Sequence, residues 1–371
     1  MADNATVSME DFPSYVASIN IWKYTPPILI VVGTFANILS IIVLLRKSMR
    51  TSTTMFYLTV LACGDILVLY TGLLRYWIQY AFDIKLREFS NFGCKLHVFL
   101  VYFSLDFSTW ILVAVTIDRC IFVCLPFKSR TYCTMKHAKI AVVTICGVIF
   151  LLNSHLFGTV ALDDTLGCYG VSSFILSVWP WIDFCVFCIG PFTVMIICNI
   201  FIIRQIVLSN KRIESHSGSG MLSPKTAIPS TSIAGNNNGN IATNNALQNK
   251  AKKNKSKKRL RKISNVTIML LTVNIVYFSC TLPIAVYLIG YKFWVPGASK
   301  ERRATLDLVW AISNFLQYMN NTIHFFMYCL TSPKFRKELF YLFNIKSKTQ
   351  EFEQSKLYNT DHPDPLKTTK Y

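Results

Sequence analysis

Seven stretches of this chain are long and apolar enough to cross a lipid bilayer, and this pattern constrains its fold more than any other feature. A hydrocarbon core of about 30 Å takes roughly 20 residues of helix. The stretches are Thr25–Leu45, Thr51–Leu74, Leu96–Ile117, Ile140–Leu162, Ser177–Ile203, Ile263–Tyr291 and Leu308–Pro333. Asp65, Asp106 and Asp183 are the only carboxylates inside them, and no Lys or Arg falls within any of the seven. An open strand cannot satisfy its backbone in lipid, so the spans are helices. The expected architecture is an all-α membrane protein, a seven-transmembrane-helix bundle. Gly33, Pro191 and Pro283 lie inside spans, where a packed bundle tolerates them, often as kinks.

Composition agrees. Of 371 residues 52% are hydrophobic and only 15% charged, against about 25% charged in soluble domains. The net charge of +19 raises the question of a nucleic-acid partner. Its distribution argues against one, because the basic residues sit in short segments between apolar runs.

Those segments set the orientation. Arg46, Lys47 and Arg50 follow the first span, and Lys128, Arg130, Lys136 and Lys139 follow the third. From Arg204 to Lys262 there are 13 Lys and Arg against one acid, Glu214, whereas Thr159–Leu176 has none and carries Asp163 and Asp164. The expectation is a multi-pass plasma-membrane protein with its N-terminus extracellular and its C-terminus cytoplasmic. Met1–Glu10 has no signal-peptide pattern, so the first helix would direct its own insertion. Asn4 then becomes a glycosylation acceptor.

The chain divides into an extracellular N-terminus over 1–24, a membrane domain over 25–343 and a cytoplasmic tail over 344–371. Residues 209–249 are polar and low in complexity and read as a disordered cytoplasmic loop. The basic run Lys250–Lys262 is a candidate for anionic membrane lipid, with simple topological retention as the other reading. After the last span, Phe335, Leu339, Leu342 and Phe343 share one face at helical spacing, with Lys334, Arg336, Lys337 and Lys346 around it. This predicts a short amphipathic eighth helix on the inner leaflet.

A series of short motifs runs along the spans. They are Gly33-Thr-Phe-Ala-Asn37, Leu61-Ala-Cys-Gly-Asp65, Asp118-Arg119-Cys120, Pro191, Cys280-Thr-Leu-Pro283 and His324-Phe-Phe-Met-Tyr328. Cys94 precedes the third span, and Cys168 lies in the second outer loop. In this order and spacing the set resembles the rhodopsin-like (class A) G-protein-coupled receptors from Gly33 to Phe343. The stretch Asp118–Lys128 and the Phe of the seventh-helix motif look most like invertebrate neuropeptide receptors of the FMRFamide-receptor type. The departures are Cys120 for the family's Tyr, Thr281 for its Trp, His324-Phe325 for its Asn-Pro, Asn199 for its fifth-helix Tyr, and no Trp in the fourth span.

The resemblance implies roles. Asp118, Arg119, Asn199, Tyr277, Pro283 and Tyr328 fall at positions for activation and G-protein coupling, with Asp118 holding Arg119 at rest. Asp65 matches the family's sodium-binding carboxylate, and Ser108, Asn320 and Asn321 fall where its other ligands lie. A sodium ion bound there is the favoured expectation, His324 is the residue that could spoil it, and a polar network without bound ion is the alternative. No other cofactor is expected. Cys94 and Cys168 would form a disulfide. Many family members tether the arginine to an acid at the inner end of the sixth helix. Here that end, Lys257–Ile263, offers only like charge, so ligand-free signalling is expected.

Intramembrane carboxylates are functional candidates by default. Asp106 and Asp183 lie in the outer halves of their spans, with Tyr102 one turn from Asp106. Trp179, Tyr287, Trp310, Gln317 and Tyr318 lie at similar depth and complete a candidate ligand pocket, though aromatics in spans are as often packing residues. An amidated peptide ending in Arg-aromatic would place guanidinium on carboxylate and ring on the aromatic wall. The rim segment Lys300-Glu-Arg-Arg303 weighs against a strongly cationic ligand.

Leu308–Pro333 has no Lys for a retinal Schiff base, and Val101 stands where aminergic receptors carry Asp. No enzyme motif occurs. A channel or transporter would need a lined pore or paired broken helices. The remaining readings are a neuropeptide receptor and, second, a chemosensory receptor for a small molecule, each with a heterotrimeric G protein as partner.

Overall fold

The structure is a computed structural model that describes residues 8–165, 167–218 and 238–343. Helix α1 covers Pro13–Leu44, α2 Thr53–Phe82, α3 Asn91–Cys124 and α4 Met135–Asn153. Helix α5 joins Phe174–Val178, Trp179–Phe184, Cys185–Ile189 and Gly190–Gly218. Helix α6 covers Asn238–Trp294, α7 Lys300–Thr331 and α8 Pro333–Leu342. Six of these pass as membrane spans by length and composition. The seventh, α7, carries too many polar groups for that test, and the fold explains why. Its Asn314, Gln317, Asn320, Asn321 and His324 are buried against the bundle rather than turned to lipid.

Several boundaries differ from the sequence reading. Helix α1 begins inside the expected extracellular segment 1–24, with Pro13 at a first-turn position where its missing N–H is no loss. Trp22 holds this extension in place, stacking on Tyr76 of α2 at 4.0 Å between ring centroids. Helix α2 runs on past Leu74 to Phe82 through a π-helical turn at Leu69–Leu73. Such turns re-aim the following face and cluster at functional sites. The expected disordered loop 209–249 carries helix at 209–218 and 238–249. No proline interrupts the chain from 230 to 282, so α6 can extend inward from its span. The rest of that loop, Asn4 and the tail 344–371 lie outside the described residues.

The second outer loop forms an antiparallel hairpin, β1 Val160–Asp163 with β2 Gly167–Gly170, in the register Leu162↔Cys168. Sequence patterning did not announce it. At the opposite end, Phe335 of α8 is buried, packing edge-on against Tyr328 and Phe325. The apolar face expected to lie on lipid is thus partly spent on the bundle, although Phe343 stays exposed.

Candidate ligand cavity and activation column

The hairpin closes one side of a cavity of about 670 Å³ at the outer end of the bundle. The Cys94–Cys168 disulfide, S–S 2.02 Å, ties β2 to the start of α3 and fixes that wall. Tyr102 and Asp106 line the cavity from α3 and Asp183 lines it from α5. Tyr287 of α6 and Trp310, Gln317 and Tyr318 of α7 complete the expected set. Trp179 does not reach the lining. It is buried behind the wall, 4.0 Å from the His155 ring and edge-on to Tyr102.

The two aspartates are not equivalent. Asp106 is 1% exposed and accepts a 3.0 Å hydrogen bond from Asn153 of α4. Asp183 faces the cavity, and among the described residues no hydrogen bond or ion pair reaches it. An ionised carboxylate in such surroundings is costly unless a cation or donors meet it.

Sequence reasoning missed two lining residues, Arg75 and Arg87. Arg75 lay one position beyond the apolar run that ended at Leu74, and Arg87 lay in a loop with no motif around it. The extension of α2 and the packing of Leu86–Glu88 bring both over the cavity. Counting cations only within the apolar spans therefore understates the positive charge available to a ligand.

Below the cavity a polar column begins. Leu105, Phe187 and Gln317 line both the outer cavity and a smaller space of about 10 Å³ beneath it. Asp65 lies beside this space. Its Oδ1 accepts from Ser108 Oγ at 2.7 Å and Asn321 Nδ2 at 2.8 Å. Its Oδ2 meets His324 Nδ1 at 2.7 Å. Asn320, expected in the same cluster, lines the small space, and its Oδ1 is buried without a partner among the described residues.

Tyr277, which lines the same small space, donates toward Thr109 Oγ1 and the Phe187 carbonyl, each at 3.2 Å. Pro283 sits inside α6 above it. Asn274, which the motif reading did not single out, donates to Asn199 Oδ1 at 3.1 Å and to Thr116 Oγ1 at 3.2 Å. One side chain of α6 therefore links α5 and α3. The available signal was an Asn in the middle of an apolar span, well inside the span's other Asn, Asn265, which sits at its inner edge.

At the inner end, Asp118 Oδ2 accepts from Thr53 and Thr54, each at 3.0 Å, and pairs with Arg119 at 3.4 Å. Arg119 Nε is buried with no partner among the described residues, and its guanidinium lies 4.7 Å from the Phe122 ring centre. Tyr328 is buried between His324 and Phe335.

Comparison with known proteins agrees with this arrangement. Residues 36–328 match the family described as 7 transmembrane receptor (rhodopsin family). The thyrotropin-releasing hormone receptor of Gallus gallus is 29% identical over 188 residues, 48% of this chain and 46% of that protein. An FMRFamide peptide receptor of Caenorhabditis elegans is 28% identical over 130 residues, 34% of this chain and 30% of that protein. The type-1 angiotensin II receptor of Cavia porcellus is 36% identical over 125 residues, 34% of this chain and 33% of that protein. The chain spans about half the length of the curated relatives it matches. The chain belongs to the rhodopsin family of seven-transmembrane receptors.

Proposed function

We propose that this receptor stands in the plasma membrane with its N-terminus outside, binds an extracellular peptide in the outer cavity and activates a heterotrimeric G protein through Arg119. The observation that carries the reading is the cavity of about 670 Å³ lined by Asp106 of α3, the helix whose inner end carries the Asp118–Arg119 pair. Ligand sites typically measure about 300–1,000 Å³ and combine aromatic walls with a few placed polar groups. The FMRFamide peptide receptor among the relatives supports a peptide over a small molecule. The test is a neuropeptide panel on cells expressing the chain, read by calcium and cAMP. Response to small organic compounds and to no peptide would favour the chemosensory reading instead.

Within this reading Asp183 is the counter-ion for a cationic group on the ligand. Asp183→Asn is expected to lower the potency of a cationic peptide about 10- to 100-fold, the range of a lost charged hydrogen bond. Asp106→Asn keeps an acceptor for Asn153 and is expected to cost less than about 3-fold. Dose–response curves at matched surface expression check both. Equal losses in the two variants would refute the assignment.

The Asp65 cluster is read as complete without sodium. A hard cation wants several oxygens around it, whereas here the carboxylate already meets a hydroxyl, an amide and an imidazole. The adjoining space of about 10 Å³ has room for no more than about one water. Ligand affinity of the wild type is expected to change less than about 2-fold when sodium chloride is replaced by choline chloride. His324→Asn, which removes the imidazole from Asp65, is expected to gain sodium dependence. Strong sodium dependence in the wild type would overturn the reading.

A further inference from the structure

We propose that Arg75 and Arg87 form an anion subsite in the outer cavity, and that it takes a free carboxylate carried on an aromatic or apolar residue of the ligand. The inference rests on reading that cavity as the ligand site.

The argument begins with charge balance. Among the described residues the ion pairs are Arg46–Glu338, Lys85–Glu88 and Arg119–Asp118, with His324 hydrogen-bonded to Asp65, and neither Arg75 nor Arg87 takes part in any of these. Both are half-buried and both line the cavity. Arg87 donates through Nε to His97 Nδ1 at 3.0 Å, which uses one donor of five and supplies no negative charge. Arg75 lies over the Tyr76 ring at 3.7 Å, and its Nε is buried with no partner among the described residues. Burial pushes the Arg87 guanidinium down to about 10, and the positive charge of Arg75 beside it pushes the same way. Arg87 is still charged at neutral pH. Two guanidiniums thus stand close together with their forks unfilled, and each raises the other's cost.

A carboxylate offers two oxygens in one plane and can accept in parallel from a guanidinium fork, whereas a neutral amide offers one oxygen and no charge. The walls beside the pair are Tyr76, Tyr102 and Tyr318, which suit an aromatic or apolar side chain next to the acid group. Tyr102 stands between the two signs of charge, within electrostatic reach of Arg87 on one side and Asp183 on the other. The cavity therefore has a cationic edge at α2 and the first outer loop, and an acidic edge at α3 and α5. A ligand bearing both a cation and a carboxylate matches both edges, and a C-terminally amidated peptide matches only one. The third cation on the lining, Lys292, is engaged with the Leu176 carbonyl at 3.3 Å.

The test uses the purified full-length receptor in lipid nanodiscs, with no G protein, and two probes: N-acetyl-phenylalanine as the free acid and as the amide. Melting temperature is followed against probe concentration at constant ionic strength. At about ten times its dissociation constant the acid is expected to raise the melting temperature of the wild type by about 2 °C or more, and the amide is expected to give no such rise. Arg75→Gln and Arg87→Gln should each remove the difference. Arg87→Lys, which keeps the charge and guards against a folding defect, should retain part of it. A wild type that responds equally to acid and amide, or to neither, would overturn the proposal. So would a preference for the acid that survives both glutamine variants. The peptide and G-protein reading is decided separately by the cell-based panel, so the two can fail independently.

Discussion

Arg119→Ala is expected to abolish ligand-driven nucleotide exchange while leaving ligand affinity within about 3-fold of wild type. The geometry separates these two effects. Arg119 lies at the inner end of α3, while Asp106 on the same helix marks the outer cavity, thirteen positions away. At 1.5 Å per residue that is about 20 Å. Truncating one partner of a buried charge pair usually destabilises a protein by about 3–5 kcal/mol, because the other charge is left alone. Asp118 is better placed than that, since Thr53 and Thr54 both continue to donate to its Oδ2. The fold should therefore tolerate the change. What is lost is the guanidinium itself, whose Nε has no partner among the described residues and is available to a new acceptor. Guanosine nucleotide exchange at matched surface expression is the measurement, with radioligand or peptide binding alongside. Arg119→Lys keeps the charge but not the planar fork, and an intermediate rate is expected. Full exchange in the alanine variant would remove Arg119 from the coupling mechanism.

The seven spans were legible because lipid permits so few solutions: an apolar run of this length must be a helix. The polar cluster at Asp65 was legible because a carboxylate in such a run is rare enough to stand out. What the one-dimensional pattern hid lies where the chain leaves the bilayer. Arg75 and Arg87 were invisible as ligand residues because hydropathy marks where an apolar run stops, whereas α2 continues as helix to Phe82. Packing of Trp22 on Tyr76 keeps that extension upright, and this is a tertiary contact between residues 54 positions apart. Trp179 was misplaced for a related reason. Depth in the membrane follows from sequence position, but the direction a side chain faces on α5 depends on the π-helical turns at Phe174–Val178 and Cys185–Ile189. The hairpin Val160–Gly170 is too short for alternation to reveal, and the disulfide pins it to the start of α3.

Asn274→Ala is expected to raise ligand-free signalling about 10-fold. The inner end of α6, Lys257–Ile263, carries no acid that could hold Arg119, so charge alone does not keep α6 against α3. Asn274 lies about 16 Å farther out along the same helix, at 1.5 Å per residue from Ile263. Its amide reaches both Asn199 of α5 and Thr116 of α3, one turn before Arg119. Thr116 donates its own hydrogen to the Leu112 carbonyl at 2.8 Å, so its oxygen is oriented to accept from Asn274. An outward swing of α6 has to break both bonds to Asn274. Each buried hydrogen bond contributes about 1 kcal/mol, and removing the donor also leaves Asn199 Oδ1 without its partner in the resting arrangement. A loss of about 1.4–2 kcal/mol from the resting state alone shifts the population roughly 10- to 30-fold. Asn199→Ala cuts only the α5 leg and should raise basal signalling less. Because both substitutions act on one network, the double variant should fall short of the product of the single effects. Basal nucleotide exchange and basal second-messenger levels, normalised to surface expression, read the result. If Asn274→Ala signals no more than wild type without ligand, the three-helix link does not hold the receptor at rest. The closed state would then depend on the Asp118–Arg119 pair and the apolar packing of α6.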